Sequence, residues 1–351
     1  MFSQATYIWI DGAKPYSKLR SKTRVVKLQL DTVKLDDFPE WGFDGSSTNQ
    51  SDGHDSDLIL LPVTFVPDPL LGNGNFLVLC EVLQSDREPH PTNHRATLRY
   101  LMDNGARDLD PWVGFEQEYT LFQGNTPLGW PEHGYPAPQG PFYCGVGADE
   151  AFGRELVDRH TQACIDAGLM IFGTNAEVMP GQWEFQIGYR GVSTEVADPL
   201  STSDHLWFAR WLLYRIGEDY GISATLDPKP VEGDWNGAGK HTNFSTVSTR
   251  DKKTGMDAIN KAIAALKEAH DKHIALYGYR LDKRLTGLHE TCSINEFKSG
   301  VRDRGASIRI PQAVAEKGYG YFEDRRPGAN ADPYQVTSLL IETVCGISPP
   351  K

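Results

Sequence analysis

The stretch that most constrains this chain is NAEVMPGQWEFQIG, Asn175 to Gly188. Met179-Pro180-Gly181-Gln182 carries Pro and Gly at the two central positions of a β-turn, as a type II turn requires. Beyond the turn Trp183, Phe185 and Ile187 alternate with Gln182, Glu184 and Gln186, the period of a strand with one apolar face. With Pro180 and Gly181 as the loop, the expected register sets Glu177 directly opposite Glu184. Carboxylates at the roughly 5 Å spacing of cross-strand neighbours repel each other, and a cation between them would remove that cost. For an isolated pair, two solvated glutamates on an exposed sheet are the plainer reading. The remaining motifs favour the cation.

At 351 residues, 39% of them hydrophobic and 23% charged, the chain can bury a sizeable core in two domains. A formal charge of −12 argues against nucleic-acid and anionic-membrane partners, both of which need a basic face. The opening MFSQATYIWIDG has no charged stretch followed by a long apolar core, so no signal peptide is expected. The longest aliphatic run, Leu58 to Leu61, is too short to span a bilayer. Five cysteines (Cys80, Cys144, Cys164, Cys292 and Cys345) form no CxxC pair and are odd in number. That pattern suits reduced, mostly buried thiols in a cytoplasmic protein.

The first ninety residues read as strand-rich, with strands expected at Tyr7–Ile10, Thr23–Leu30 and Phe76–Cys80 and a polar, glycine-bearing loop from Trp41 to Asp57. Gln84 to Pro91, rich in proline and charge, is the expected boundary between a domain at 1–88 and another at 89–351. Thr92 is placed to cap a helix running to Met102. In the expected strand Trp112–Phe122, Val113, Phe115, Tyr119 and Leu121 share one face, and Glu116 and Glu118 share the other. Helices are expected over Asp149–Ala167, Ser203–Tyr220 and Met256–Tyr277, each ended by a glycine. This order suggests an α+β architecture, an antiparallel sheet with helices packed against it.

The run DWNGAGKHTNFST, Asp234 to Thr246, enters a strand through a glycine-rich bend and would put His241, Asn243 and Ser245 on one face. It is not a phosphate loop: the first glycine is one place out of register, and His241 stands where Ser or Thr belongs. Nor is LTGLHETCSINE a zinc-protease helix, because Ser293 occupies the position of the second histidine. The last third is dense in arginine: Arg284, Arg304, Arg309, Arg325 and Arg326 lie in glycine- and proline-punctuated segments next to carboxylates. Such placement suits recognition of phosphate and carboxylate oxygens. Glu323 and Arg325, two apart, would share a face.

Glu116, Glu118, Glu177, Glu184, Glu323 and His241 together form a donor set suited to two or three hard divalent cations, Mg²⁺ or Mn²⁺. With the arginines and the glycine-rich bend, they point to phosphoryl transfer from a metal-bound nucleotide. Spacing alone does not name the acceptor.

The blocks FDGSST, FEQEYTL, NAEVMPGQWEFQIG, WNGAGKHTNFST, RLTGLHET, DRGASIRIP and GYFEDRRP, in this order, resemble the glutamine synthetase family in its eukaryote-like type II form. The resemblance runs from Tyr7 to about Glu342 and implies an N-terminal β-grasp domain, a large catalytic domain and a homodecamer of two stacked pentamers. It further implies one metal held by Glu118, Glu177 and Glu184 and another by Glu116, His241 and Glu323. By the same resemblance Arg304 and Arg309 contact ATP phosphates, while Glu116, Glu184, Asn243, Ser245 and Tyr321 lie on the ATP side. L-glutamate is implied to bind Arg284, Arg304, Arg325 and the bend Trp235-Asn236-Gly237. Asp44 is implied to take a proton from ammonium, Glu290 to close a flap over the intermediate, and Arg309 to assist phosphoryl transfer.

The implied reaction is attack of the glutamate γ-carboxylate on ATP, followed by ammonia displacing phosphate from γ-glutamyl phosphate. Two other readings stand beside it: a γ-glutamyl ligase for another amine, and a catalytically dead relative. The ammonium pocket implied by Asp44 and Glu290 speaks against the first, and the complete set of metal-ligand types against the second. The chain also departs from the family. It starts close to its first strand, without the usual leading helix, and Tyr189–Ser203 is expected to be a longer connection than in eukaryotic members.

Overall fold

The computed structural model describes residues 1–349, so the last two residues of the expected second domain lie outside the described residues. Strand periodicity organises the N-terminal part, where β1 (Phe2–Ile10), β2 (Leu19–Lys27), β3 (Trp41–Asp44), β4 (Asp57–Pro67) and β5 (Phe76–Leu83) form one sheet in the order β2-β1-β5-β4-β3. Tyr7 and Trp9 point to one side, into an aromatic-rich core with Phe38 and Phe43. Ile8 points to the other side and, with Leu77 and Leu79 of β5, joins the main core of the molecule.

Charge reinforces that junction. Glu81 of β5, buried, accepts Arg95 Nη1 at 2.8 Å and Arg99 Nη2 at 3.0 Å from α1 (His94–Asp103). Arg95 also forks onto Asp204 of α3 (Pro199–Tyr220) with two bonds of 2.9 Å. A two-pronged guanidinium–carboxylate contact is directional as well as strong, so it fixes angle as well as distance.

The larger sheet is built on β6 (Trp112–Gln123), with β7 (Thr126–Pro127), β8 (Ile171–Ala176), β9 (Gln182–Ile187), β10 (Ser223–Thr225), β11 (Lys240–Ser245), β12 (Ser299–Val301), β13 (Ile308–Ile310) and β14 (Phe322–Asp324). Its main order is β12-β13-β14-β11-β6-β9-β8, and β7 and β10 pair with β6 as well. The helices α2 (Arg154–Asp166), α3, α4 (Gly255–Glu268), α5 (His270–Leu276), α6 (Leu281–Arg284), α7 (Gln312–Lys317) and α8 (Pro333–Cys345) complete the fold. Val113, Phe115, Tyr119 and Leu121 of β6 all face the core, as the alternation requires. On that same side Gln117, fully buried, accepts Arg210 Nε of α3 at 3.0 Å. The opposite face of β6, bearing Glu116 and Glu118, is left for the site.

The architecture is α+β, but the pairing is not purely antiparallel: β1 and β5 run parallel, as do β12 and β13. The second expected strand is displaced to Leu19–Lys27, because its partner β1 ends at Phe2, opposite Lys27. The expected loop Trp41–Asp57 is shorter than anticipated, since Trp41–Asp44 pairs with Asp57–Leu60. Asn93, not Thr92, caps α1, accepting the Ala96 N–H at 3.1 Å, while Thr92 bonds Gln50 and His90. The helix expected from Asp149 begins at Arg154, behind Gly153 with φ +83°, a left-handed backbone that does not start a helix. Asp198 caps α3 earlier than expected, at Pro199. The helix expected over 256–277 is divided at Ala269 into α4 and α5.

Asp324 of β14 shows how the core side of this sheet is held. It is fully buried and accepts Arg326 Nε at 2.9 Å, Arg326 Nη2 at 2.7 Å and the Tyr277 hydroxyl at 2.9 Å. Asp324→Asn strands a buried guanidinium and is expected to cost about 3–5 kcal/mol. Asp219→Asn, which breaks the solvent-exposed pair with Arg159, is expected to shift the denaturation midpoint negligibly. Equal midpoints for the two variants in chemical denaturation would contradict this assignment.

Candidate functional site

Register draws the site in one line across the large sheet. Arg309 of β13 pairs with Glu323 of β14, Glu323 with Asn243 of β11, and His241 of β11 with Glu116 of β6. Glu118 of β6 pairs with Glu184 of β9, and Glu184 with Asn175 of β8. Cross-strand partners share a face, so all these side chains emerge on the side away from α3. Most of them line a cavity of about 820 Å³, together with Glu177, Arg284, Arg304, Arg325 and Glu290.

The hairpin that opened the sequence reading is present, but its register differs. Gly181 has φ +78° and the Gln182 N–H donates to the Met179 carbonyl at 3.1 Å, as in a type II turn. Pairing nevertheless resumes only at Glu177, whose N–H donates to the Gln182 carbonyl at 2.9 Å. A type II turn twists against its flanking strands, so a four-residue connection replaces the two-residue one. Glu177 is therefore diagonal to Glu184, not opposite it. The shift of two residues keeps both on one face, and the carboxylate directly opposite Glu184 belongs to Glu118.

Burial makes this clustering expensive. Glu184 is pushed well above the usual carboxylate range by burial, and then by the charges of Glu116, Glu118 and Glu177. Glu177 rises to about 8, through burial and the charge of Glu118. Burial also raises Glu118 and holds His241 well below the usual imidazole range, Arg325 adding to the latter. Among the described residues no cation offsets the charge of Glu177 or Glu184. Two sets of ligand atoms, Glu116/His241/Glu323 and Glu118/Glu184/His241, each lie within 4.8 Å of one another. Carboxylate oxygens and a neutral imidazole are what a hard divalent cation takes, so the donor set fits such ions. Glu177 stands beside the second set, held by Asn175 Nδ2 at 2.9 Å.

Arginines close the other wall. Glu323, buried, accepts Arg309 Nη1 at 2.6 Å and Arg325 Nη1 at 2.5 Å. Arg325 also donates from Nε to the Arg304 carbonyl at 3.0 Å. Arg284, buried in the wall, donates to the Arg325 carbonyl at 3.0 Å and reaches His241 Nε2 at 3.2 Å. Its other nitrogen, Nδ1, faces Glu116 and Glu323 at 3.4 and 3.6 Å. The glycines of the bend serve this packing: a Cβ on Gly237 would stand 2.8 Å from Arg284 Cγ.

Asn236 and Gly237 line the cavity, clamped by Gln182, which accepts Asn236 Nδ2 at 3.1 Å and donates to the Gly237 carbonyl at 2.9 Å. Trp235 instead turns to an aromatic cluster with Trp130 and Tyr135. Asn243, Ser245 and Tyr321 line a neighbouring cavity of about 370 Å³, walled by Trp112, Tyr189 and Arg250. Phe172 borders both cavities. Asp44 is not brought to either: it lies exposed at the end of β3, held down to about 2 by the hydroxyls of Ser46 and Ser47, each at 2.6 Å.

Sequence reading missed Gln139, Tyr143, Gln182 and Gln186 around the main cavity, and Trp112, Tyr189 and Arg250 around the second. Gln186 could have been found, since it shares the strand face of Glu184. Gln139 lies in an irregular segment whose periodicity carries no signal.

Comparison with known proteins agrees with this layout. Residues 1–85 match the family model for the glutamine synthetase β-grasp domain, and residues 91–348 match that for the glutamine synthetase catalytic domain. Among similar proteins, a glutamine synthetase of Streptomyces viridochromogenes is 56% identical over 98% of this chain and 97% of its own. A chloroplastic glutamine synthetase of Chlamydomonas reinhardtii is 53% identical over 97% of this chain and 90% of its own. One from Xenopus laevis is 52% identical over 97% of this chain and 85% of its own. With both domain models matched in order and half the residues shared along nearly the whole length, the chain belongs to the glutamine synthetase family.

Proposed function

We propose that this chain catalyses the ATP-dependent ligation of ammonia to the γ-carboxylate of L-glutamate, with γ-glutamyl phosphate as the intermediate. The observation that carries the reading is the meeting, in one cavity, of buried carboxylates with His241 on one wall and Arg284, Arg304, Arg309 and Arg325 on the other. Glu118, Glu177 and Glu184 would hold one Mg²⁺ or Mn²⁺, and Glu116, His241 and Glu323 another, with room for a third. Bound there, such ions supply Lewis-acid neutralisation of phosphate charge.

The protein's own groups do the rest. Arg284, Arg325 and the Asn236-Gly237 bend orient glutamate, so that its γ-carboxylate faces the nucleotide. Arg304 and Arg309 stabilise charge on the phosphoryl group as it moves to that carboxylate. The second cavity, walled by Trp112 and Tyr189, offers aromatic surface on which an adenine would pack. Glu290 shields the acyl phosphate, which water would otherwise hydrolyse. A carboxylate held to about 2, as Asp44 is, stays ionised and serves chiefly to attract ammonium.

In one chain Asp44 lies outside the cavity, which supports assembly into a ring, two stacked pentamers, where the N-terminal domain of one subunit completes its neighbour's site. The boundary between the domains is placed at 88/89. A cytoplasmic location accords with five free cysteines; no helix among the described residues is long and apolar enough to cross a membrane. The direct test is glutamine formation with phosphate release dependent on both glutamate and ammonium. Equal turnover with methylamine or a polyamine in place of ammonium would overturn the choice of substrate.

Because burial and like charge raise Glu177 from 4.5 to about 8, the folded metal-free protein binds more protons than the unfolded chain between those values. The stability tied to this group is therefore fully present below the lower value and is lost as pH rises to the upper one. Mg²⁺ should flatten that profile in thermal melts. Glu184→Gln is expected to raise the melting temperature without metal while abolishing activity and weakening Mn²⁺ binding. A melting temperature independent of pH over this range would argue against an unpaired carboxylate cluster.

Arg325→Lys loses a fork fixed by Glu323 and the Arg304 carbonyl, which an ammonium cannot reproduce. We expect at least a tenfold loss in kcat/KM for glutamate, about 1.4 kcal/mol, with the KM for ATP little changed. The opposite pattern in steady-state kinetics would move Arg325 to the nucleotide side.

Asp44→Ala and Arg309→Ala, each nearly inactive alone, are expected to complement one another in mixed rings. Random equimolar mixing supplies an intact N-terminal half and an intact catalytic half to about one quarter of shared sites. Co-expression with two tags and isolation of mixed rings would measure it. Activity no better than either variant alone would sink the shared site.

A further inference from the structure

Gln139 lies in the irregular segment between β7 and α2, and its amide joins two parts that the proposed reaction needs together. Its Oε1 accepts the Asn236 backbone N–H at 2.8 Å, and its Nε2 lies 3.0 Å from Nδ1 of His289. The first bond settles the amide's orientation: a backbone N–H can only donate, so the oxygen faces Asn236 and the NH₂ faces the imidazole. An NH₂ also can only donate, so Nδ1 accepts and the neutral ring carries its proton on Nε2. That proton points at Asp234, whose Oδ1 lies 2.9 Å away. Donors and acceptors thus alternate without conflict along Asn236, Gln139, His289 and Asp234.

The chain end of this relay is strained. His289 and Glu290 have φ of +50° and +59°, in the left-handed region that disfavours side chains. Such a backbone persists only where its surroundings hold it. Arg325 Nη2 holds Glu290 by its carbonyl at 3.4 Å, and Gln139 holds His289 by its ring. Gln139 has its own anchor, since the Gly140 N–H donates to the Val178 carbonyl at 3.0 Å, beside Glu177. Asp234, by contrast, is 93% exposed and makes a weak partner. Gln139 is therefore the firmer of the two contacts on His289.

We propose that Gln139 is a positioning residue that couples the glutamate seat at Asn236-Gly237 to the turn carrying Glu290, keeping that turn shut over the acyl phosphate. This rests on the reaction proposed above. Without the link the turn opens more often and water competes with ammonia. Water then adds to the acyl carbon, the bond from that carbon to the phosphate oxygen breaks, and glutamate, phosphate and a proton leave. ATP is spent and no glutamine forms.

The test uses Gln139→Leu and His289→Phe, singly and combined, in the full-length protein with Mg²⁺, ATP, glutamate and ammonium. In each single variant, phosphate released per glutamine should rise above the wild-type ratio. Amide hydrogen exchange of the peptide spanning residues 286–292 should quicken by about two- to tenfold, the worth of one hydrogen bond. The double variant should be no worse than the worse single, because both remove the same link. Asp234→Asn, whose side-chain oxygen still accepts from Nε2, should keep the wild-type ratio, and the KM for ATP should be unchanged throughout. Unchanged exchange, or a wild-type ratio in Gln139→Leu, overturns the proposal, as does strict additivity in the double variant. If Gln139→Leu fails to fold, His289→Phe carries the same test from the other partner. If the wild-type protein itself forms no glutamine, the reaction reading fails, while the exchange measurement still decides the latch.

Discussion

The register of β6 against its two neighbours is the constraint on which the rest depends. It sets Glu118 opposite Glu184 on one side and Glu116 opposite His241 on the other, with every partner on the same face. Slipping either pairing by one residue would turn these carboxylates into the helix-packed core and bring aromatic side chains out to the cavity. The core face prevents this, because Phe115, Tyr119 and Leu121 are fully buried beneath the helices. Apolar burial on one face thus enforces electrostatic repulsion on the other. The sheet concentrates negative charge that it cannot itself neutralise.

Arginine placement follows the same alternation. On β14 adjacent residues serve opposite sides: Glu323 faces the site, under Arg309 and Arg325, while Asp324 faces the core and takes Arg326 and Tyr277. Each buried carboxylate therefore has a guanidinium of its own, and the two pairs are kept apart by the strand. Among the described residues, Glu177 and Glu184 remain without a cationic partner. That imbalance sets unneutralised carboxylates beside a cluster of arginines.

The two cavities differ in chemical character. One is polar and ringed by charge; the other is smaller and walled by aromatic rings, with Phe172 between them. A nucleotide has the same division, a charged phosphate end and a flat base. The glycine-rich bend lies beside the polar cavity, clamped by Gln182 and Gln139, so the shape of that wall depends on two residues from distant parts of the chain. Rigid positioning of that kind lets a cavity discriminate by geometry as well as by charge.

Strand alternation in WVGFEQEYTLF and QWEFQI, read from the sequence alone, correctly separated the apolar faces from Glu116, Glu118 and Glu184, because side-chain period is a local property of an extended chain. The turn at Pro180-Gly181 was legible for the same reason. Its register was not, because the twist of the paired strands chose a wider connection and set Asn175 opposite Glu184 in place of Glu177. One helix start moved by several residues where Asp198 supplied the cap, and another by a single residue where Asn93 did. Gln139 carries no pattern of its own and Gln182 shows only its strand face, and only the folding of distant segments against one another gives them partners. The sequence by itself determined which faces are acidic and which apolar. Only the tertiary structure decided which carboxylates meet, because that depends on strand register and chain crossing, which no local spacing encodes.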